Sequence, residues 1–201
     1  MSKLTDLYAE VAVCQRCALS SARRNAVPGE GPENADIMFI GEAPGFHEDR
    51  QGKPFVGAAG HFLNELLASI GLGREDVYIC NVLKCRPPDN RDPKAEEIEA
   101  CRPFLDRQIE LVAPKMIVTL GRFSMARWFP NVRISRIHGR PKKIGGVLYL
   151  PMFHPAAALH QPRYRVDIEQ DMLKIPQFLA QAAQLVEDEL AEKPAAQLNL
   201  F

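Results

Sequence analysis

The sequence has no apolar run approaching the roughly 20 residues that a membrane-spanning helix needs. Its first residues, Met1 to Asp6, also lack the apolar core and cleavage site of a secretory signal peptide. A cytoplasmic protein with no membrane partner is therefore expected. In that reducing compartment, five cysteines indicate a metal site or reactive thiols rather than a disulfide framework.

Net charge is also absent, because 25 basic residues balance 25 acidic ones. The balance is uneven: residues 166–201 hold seven acidic and two basic side chains, so residues 1–165 carry a net charge of +5. Many of the basic side chains are bunched: Arg23 and Arg24; Arg133, Arg136, Arg140, Lys142 and Lys143; Arg163 and Arg165. A local basic surface is what phosphate contact requires, although a solvated face beside an acidic tail explains the pattern equally well. The charge therefore permits a DNA partner without indicating one.

Short apolar runs alternate with stripes of apolar residues at helical spacing. The runs predict buried strands at 37–40, 77–83, 116–120 and 147–150. The stripes predict helices before residue 14 and over 60–70, 94–112, 121–129 and about 164–190. This alternation predicts an α/β fold: a three-layer α/β/α domain with a central, mostly parallel four-stranded sheet. We expect one monomeric domain over residues 1–190, followed by a flexible tail over 191–201.

Three loops follow predicted strands, at 41–45, 81–85 and 153–157. Ligands of such sheets bind beyond the carboxyl ends of the strands. We therefore expect these loops to meet around one crevice.

Four of the cysteines have spacing that suits a shared metal centre. Cys14 and Cys17 form a Cys-x-x-Cys pair, and fifteen residues separate Cys85 from Cys101. Cys80 lies inside an apolar strand, where a small buried core residue is expected. Four ligands suit either zinc or an iron–sulfur cluster, and separate free thiols remain the alternative. The absence of paired zinc-ribbon knuckles favours a cluster.

Three segments together resemble family 4 uracil-DNA glycosylases over about residues 10 to 175. They are Gly41-Glu-Ala-Pro-Gly45 with Gly52-Lys-Pro-Phe-Val-Gly57, then Asn81-Val-Leu-Lys-Cys-Arg-Pro-Pro88 with Asn90-Arg-Asp-Pro93, and finally Phe153-His-Pro-Ala-Ala157. The resemblance implies a monofunctional enzyme that hydrolyses the N-glycosidic bond of deoxyuridine in DNA and leaves an abasic site. It also implies that a [4Fe–4S] cluster is held by Cys14, Cys17, Cys85 and Cys101.

The implied chemistry gives each motif residue a role once the nucleotide has flipped into a pocket. Phe55 offers an aromatic face to the base, and the Asn81 amide matches uracil N3–H and O4 but not cytosine. His154 is the expected donor to uracil O2 as negative charge develops there, helped by the backbone N–H groups of Gly41 to Ala43. Read without the motifs, Phe55 is ordinary core and Asn81 a buried structural residue.

The residue that positions the attacking water is left open. Related glycosylase families use Asp or Asn at the position where this sequence has Ala43. Glu42, Glu48 and Asn90 are the candidates to replace it, and Glu48 is alternatively a wall that excludes the methyl group of thymine.

Further residues are expected to contact DNA or a protein partner. Leu159, at the end of a loop over 154–159, is the candidate wedge that fills the space left by the flipped base. Arg86, Arg140 and Arg163 are candidates for phosphate contacts. The last five residues resemble the peptide by which bacterial repair proteins bind the sliding clamp, with Gln197, Leu198, Leu200 and Phe201 as its contacts.

Two other classes of protein are compatible with these residues. One is a non-catalytic or covalent uracil-binding iron–sulfur module tethered to the clamp. Covalent binders carry a basic, His-containing insertion after the middle strand, whereas here Lys84 runs directly into Cys85. The other is a zinc-stabilised α/β domain of unrelated function.

Overall fold

The computed structural model describes residues 2–181. The predictions for the end of the last helix and for the tail peptide lie outside these residues. The described strands are β1 (Ile37–Gly41), β2 (Tyr78–Asn81), β3 (Met116–Leu120), β4 (Lys142–Ile144) and β5 (Val147–Met152). The described helices are α1 (Lys3–Ala12), α2 (Leu19–Ala22), α3 (Phe46–Gln51), α4 (Ala58–Ser69), α5 (Ala95–Val112), α6 (Arg122–Met125), α7 (Ile134–Ile137), α8 (Pro155–His160), α9 (Pro162–Met172) and α10 (Ile175–Gln181). None of these helices is long and apolar enough to cross a bilayer.

The strands form one sheet in the order β2-β1-β3-β5-β4. The first four strands in this order pair in parallel, and β4 pairs antiparallel with β5. The predicted fold class is confirmed, but the described sheet has five strands rather than four. β4 has little sequence signal because it is a three-residue edge strand containing two lysines, a composition that discourages further pairing. Gly145 and Gly146, both at positive φ, form the tight turn of the β4–β5 hairpin.

Each face of the sheet packs against helices, which gives the three layers. In β1, Met38 and Ile40 join the core cluster that contains residues of α1 and α5. Ile37 and Phe39 point to the other face and join the cluster that contains residues of α4 and α9. All five residues of β1 are buried, as is typical of a central parallel strand covered on both faces.

Two local predictions were wrong. The helix predicted from about 164 to 190 is interrupted in its described part, with α9 ending at Met172 and α10 beginning at Ile175. Pro176 has no N–H to donate to the carbonyl oxygen of Met172, so the helical hydrogen bonds are interrupted there, and Pro176 lies in the first turn of α10. The loop predicted over 154–159 is instead the short helix α8, which starts at Pro155, where the fixed φ of proline suits a first helical position.

Candidate active site

A cavity of about 360 Å³ opens at the carboxyl ends of β1, β2 and β5. It is lined by Glu42, Ala43, Pro44, Gly45, Glu48, Phe55, Ala59, Asn81, Pro87, Asn90, Arg91, His154 and Ala156. The prediction that the loops after these strands meet around one crevice is confirmed. The sequence analysis missed Ala59, Pro87 and Arg91, which carry no signal beyond their position within the motifs.

Phe55 forms one wall of the cavity and is held in an uncommon conformation. Its φ of 52° lies in the left-handed region, where a bulky residue is an outlier. Arg74 stabilises this turn, because its guanidinium donates to the carbonyl oxygens of Pro54 at 2.7 Å and of Phe55 at 3.0 Å. Gly60 fits beneath it, since a Cβ there would lie 1.9 Å from the Phe55 carbonyl oxygen. The Phe55 ring lies 5.6 Å from that of His154, with 24° between their planes.

Asn81 ends β2 and is 2% exposed. Its side-chain Oδ1 has no hydrogen-bond partner among the described residues. A buried acceptor left unpaired costs about 1–3 kcal/mol, so such an atom in a cavity wall indicates where a ligand donor binds. Gly41 pairs with Asn81 across the sheet and leaves room for it, since a Cβ at Gly41 would lie 2.3 Å from this oxygen.

His154 caps the amino end of α8, and its Nδ1 accepts a hydrogen bond from the Ala156 N–H at 3.1 Å. A ring nitrogen that accepts carries no proton, so the proton of the neutral ring is on Nε2, which is free to donate. Burial lowers the pKa of His154 to about 4, against a smaller opposing effect of the Glu48 charge. The cavity therefore contains a neutral imidazole donor at pH 7.

The three candidates for positioning water differ in what their side chains already bind. Glu48 accepts from the N–H groups of Val56 and Gly57 at 2.8 Å each and of Gly45 at 3.1 Å, so it ties two loops together. Asn90 accepts from Arg86 Nε at 2.7 Å through its Oδ1.

Glu42 differs from both, because its carboxylate has no hydrogen bond within residues 2–181. Burial raises its pKa, with Asp92 adding to the effect and Arg122 opposing it. Glu42 is thus the candidate with a free, partly desolvated carboxylate at the cavity wall.

A second, much smaller cavity is lined by Cys14, Cys17, Cys85 and Cys101, all of them free thiols. Hydrogen-bond donors point at three of the sulfurs. The Arg16 N–H lies 3.5 Å from Cys14 Sγ, Arg23 Nη1 lies 3.1 Å from Cys85 Sγ, and the Lys84 N–H lies 3.3 Å from Cys101 Sγ. Such donors stabilise thiolates bound to metal.

Four cysteine thiols around one cavity are a donor set that suits either a zinc ion or an iron–sulfur cluster. No group of three or more His, Cys, Asp or Glu side chains in residues 2–181 is placed to hold one metal ion. Burial raises the pKa of the Cys101 thiol to about 11. Cys80, as predicted, is a fully buried core residue outside this cavity.

Lys84 lies between the two cavities and escaped the sequence analysis. It is 1% exposed, and its Nζ donates to the Asn81 carbonyl oxygen at 2.6 Å and to Gln108 Oε1 at 2.5 Å. Gln108 in turn donates to the Tyr78 hydroxyl at 2.8 Å. A lysine in a strand-end motif reads as a surface residue, and only the tertiary structure reveals its buried partners.

The residues predicted to contact DNA lie at different distances from the main cavity, and one of them borders a separate cavity. Leu159 is 51% exposed on α8, five residues after His154, and Arg86 joins the cavity through Asn90. Arg163 contacts the ring and hydroxyl of its neighbour Tyr164. Arg140 does not line the main cavity; it borders a separate cavity of about 240 Å³ that also contains Asp167 and Asp171.

We expect the ring-proton NMR resonance of His154 to titrate near pH 4 rather than near the ordinary pKa of 6.5. Because the pKa is lower in the folded chain, the unfolded chain binds more protons between these two values. The contribution of His154 to the free energy of unfolding therefore decreases as pH falls through that window. A His154→Gln variant identifies the resonance and should lose this part of the pH dependence. A titration midpoint near 6.5 would contradict the desolvated, capping imidazole.

Comparison with known proteins agrees with this site. The family model described as "Uracil DNA glycosylase superfamily" matches residues 28–180. The type-4 uracil-DNA glycosylase of Archaeoglobus fulgidus is 49% identical over 185 residues, which are 87% of this chain and 92% of that protein. The enzymes of the same name from Sulfurisphaera tokodaii and Saccharolobus solfataricus are each 48% identical, over 87% and 90% of this chain and 84% and 88% of their own lengths. The chain therefore belongs to the uracil-DNA glycosylase superfamily and, within it, to the type-4 uracil-DNA glycosylases.

Proposed function

We propose that this protein is a monofunctional uracil-DNA glycosylase, a hydrolase that cleaves the N-glycosidic bond of deoxyuridine in DNA repair. The observation that carries the proposal is the pairing, in one cavity, of a buried unpartnered amide oxygen on Asn81 with a neutral imidazole donor on His154. The flipped base lies between them, against the ring of Phe55.

Asn81 selects uracil through the direction of its hydrogen bonds. Its free Oδ1 accepts from uracil N3–H, and its amide N–H donates to uracil O4. Cytosine has an acceptor at N3 and a donor at N4, so it would leave both groups of the buried amide unpaired. A site of this kind discriminates strongly because each unpaired group keeps its full desolvation cost.

His154 acts on the transition state. As the glycosidic bond lengthens, negative charge moves onto the uracil ring and part of this charge accumulates on O2. The Nε2–H of His154 donates a hydrogen bond to that oxygen. The hydrogen bond from the Ala156 N–H to Nδ1 fixes the required tautomer before substrate arrives. The low pKa keeps the ring neutral, so the group donates a hydrogen bond and keeps its proton.

Glu42 is the residue we assign to the attacking water and the developing positive charge of the sugar. Its carboxylate is free, whereas the oxygens of Glu48 and Asn90 are already bonded to the protein. Glu48 then positions the loops that carry Gly45 and Phe55 and forms part of the wall beside the base. A dissociative reaction needs stabilisation of the developing charge more than it needs activation of the nucleophile. One carboxylate can supply that charge stabilisation.

The substrate is uracil-containing DNA bound by the protein as a monomer. We assign Leu159 to the wedge, because it is exposed on the helix that begins beside His154. Arg86 and Arg163 are assigned to phosphate contacts. Arg140 is proposed as a further phosphate contact at a separate cavity, which basic and acidic side chains share.

We further propose that the four-cysteine cavity holds a [4Fe–4S] cluster through Cys14, Cys17, Cys85 and Cys101. Such a group supplies four strong metal–thiolate bonds and has no step in the hydrolysis. The residues that would hold it come from the segment after α1, the end of the Asn81 loop and α5. Ligation would therefore fix the Asn81 loop against α5 and the segment after α1. For the tail, we propose that Gln197, Leu198, Leu200 and Phe201 bind the bacterial sliding clamp, because these residues match its docking peptide.

Uracil release tests the activity directly. An oligonucleotide with one uracil should break at that position only after alkali treatment, and a thymine control should stay intact. Replacing His154 by Ala should lower the single-turnover rate about 10²- to 10³-fold, since it removes one transition-state donor. His160→Ala, on the exposed end of the same helix, is the matched control and should retain the full rate. Wild-type protein that yields no product at many enzyme equivalents would refute the proposal and favour a binding module.

The cluster is tested by spectroscopy and metal content. Wild-type protein should contain about four irons per chain and absorb near ~400 nm, and Cys101→Ala should lose both together with thermal stability. Cys80→Ala, a buried cysteine on β2 outside the sulfur cavity, should keep iron and absorbance. Stoichiometric zinc without this absorbance would contradict the assignment.

The tail is tested by truncation. Deleting residues 197–201 should leave uracil release from short oligonucleotides unchanged and abolish binding to the sliding clamp, because a short apolar peptide makes the whole contact. Equal clamp affinity of the truncated and full-length chains would show that this peptide is not the docking site.

A further inference from the structure

An exposed aromatic side chain lies at the rim of the candidate active site. Phe46 is the first residue of α3 and directly follows Gly45, which lines the cavity. Its side chain is 47% exposed, and it is the largest of the exposed hydrophobic side chains in residues 2–181. Neither the motif analysis nor the chemistry of uracil hydrolysis accounts for it.

Two cations flank this ring. The guanidinium carbon of Arg86 lies 5.3 Å from the ring centroid and that of Arg50 lies 5.5 Å from it. Neither guanidinium forms an ion pair in the described part of the chain, whereas seven other arginines there do. The side chain of Arg50 has no hydrogen bond within these residues either, so its donors are available to a ligand.

These three residues, which we call the Phe46 platform, are tied to the cavity at both ends. Phe46 is covalently joined to Gly45, whose N–H is bonded to Glu48. Arg86 donates to Asn90, a residue of the cavity wall, at 2.7 Å. The platform is therefore placed next to the position of the reacting nucleotide and not elsewhere on the surface.

An aromatic face beside unpaired guanidinium groups is the combination that binds a nucleotide of a single strand. The ring stacks on a base of any sequence, and the cations contact the phosphates on either side. Charge complementarity thus favours a nucleic-acid strand over an apolar protein partner, because an apolar partner would bury two unpaired cations.

We propose that the Phe46 platform binds the nucleotide next to the flipped uridine in the same strand, stacking its base on Phe46 and holding its phosphate with Arg50 and Arg86. A base stacked on protein must leave its own helical stack and its pairing partner. The platform consequently favours single-stranded or locally opened DNA over intact duplex. This inference rests on the proposed function, since it concerns the same substrate.

The test combines a protein variant with a change in the DNA, using full-length protein and kcat/KM for uracil release. In a series of single-stranded oligonucleotides, each neighbour of the uracil is replaced in turn by an abasic residue. The kcat/KM of wild-type protein should fall on the order of 10-fold when the abasic residue replaces the base that stacks on Phe46, which is at one flanking position only. The kcat/KM of Phe46→Ala on the intact strand should be lower than that of wild type by a similar factor. Removing the stacked base should not lower the kcat/KM of this variant any further. Its loss on duplex should be smaller.

Two controls separate stacking from other effects. Leu173→Ala removes another exposed apolar side chain, 58% exposed at the end of α9, and should behave like wild type on every substrate. Arg50→Gln should reduce the salt dependence of kcat/KM by about one phosphate contact.

Equal kcat/KM of Phe46→Ala and wild type on the intact strand would overturn the proposal, as would equal sensitivity of both proteins to every abasic position. Either result, obtained with active wild-type protein, leaves the glycosylase assignment standing. An inactive wild-type protein with its cluster intact would instead count against the proposed function itself.

Discussion

The buried ammonium group of Lys84 is the constraint on which both cavities depend. It donates to the carbonyl oxygen of Asn81 and to Gln108, while the backbone N–H of the same residue donates to Cys101. A chain leaving a strand has few internal hydrogen bonds, and this one residue supplies three. Because burying an ammonium group without partners is costly, the segment from Asn81 to Cys85 has one well-satisfied arrangement. The Asn81 amide in the wall of the main cavity and Cys85 of the sulfur cavity are thereby held within one rigid turn.

The candidate active site combines groups that stability alone would disfavour. Asn81 leaves an acceptor unpaired, Phe55 holds a left-handed backbone conformation, and His154 stays neutral through burial. The first two cost free energy in the absence of substrate, and all three match a requirement of binding a flat base or stabilising its anion. Rigid neighbours maintain them: Arg74 bonds the carbonyl oxygens around Phe55, and Glu48 bonds three backbone amides.

Residues at the rim of the cavity are placed to contact the DNA strand on either side of the flipped base. Leu159 and Phe46 are both exposed apolar side chains on short helices that begin at the cavity. A wedge and a stacking platform would act together, since one fills the vacated stack and the other receives a displaced neighbour. Flipping a base costs stacking and pairing energy in the DNA, and contacts of the protein with the opened strand offset part of that cost.

The sequence by itself determined the layered fold, the three loops around the cavity and the residue types within them, because apolar periodicity and short motifs are local properties. It missed β4, whose three residues depend on pairing with β5, and it extended the last helix through Pro176. Only the tertiary structure decided which candidate carboxylate is free, since the loop of Val56 and Gly57 folds onto Glu48 and no hydrogen-bond donor within residues 2–181 reaches the Glu42 carboxylate. It alone also decided the neutral state of His154 and the buried position of Lys84, because burial and long-range hydrogen bonds exist only once the chain has folded.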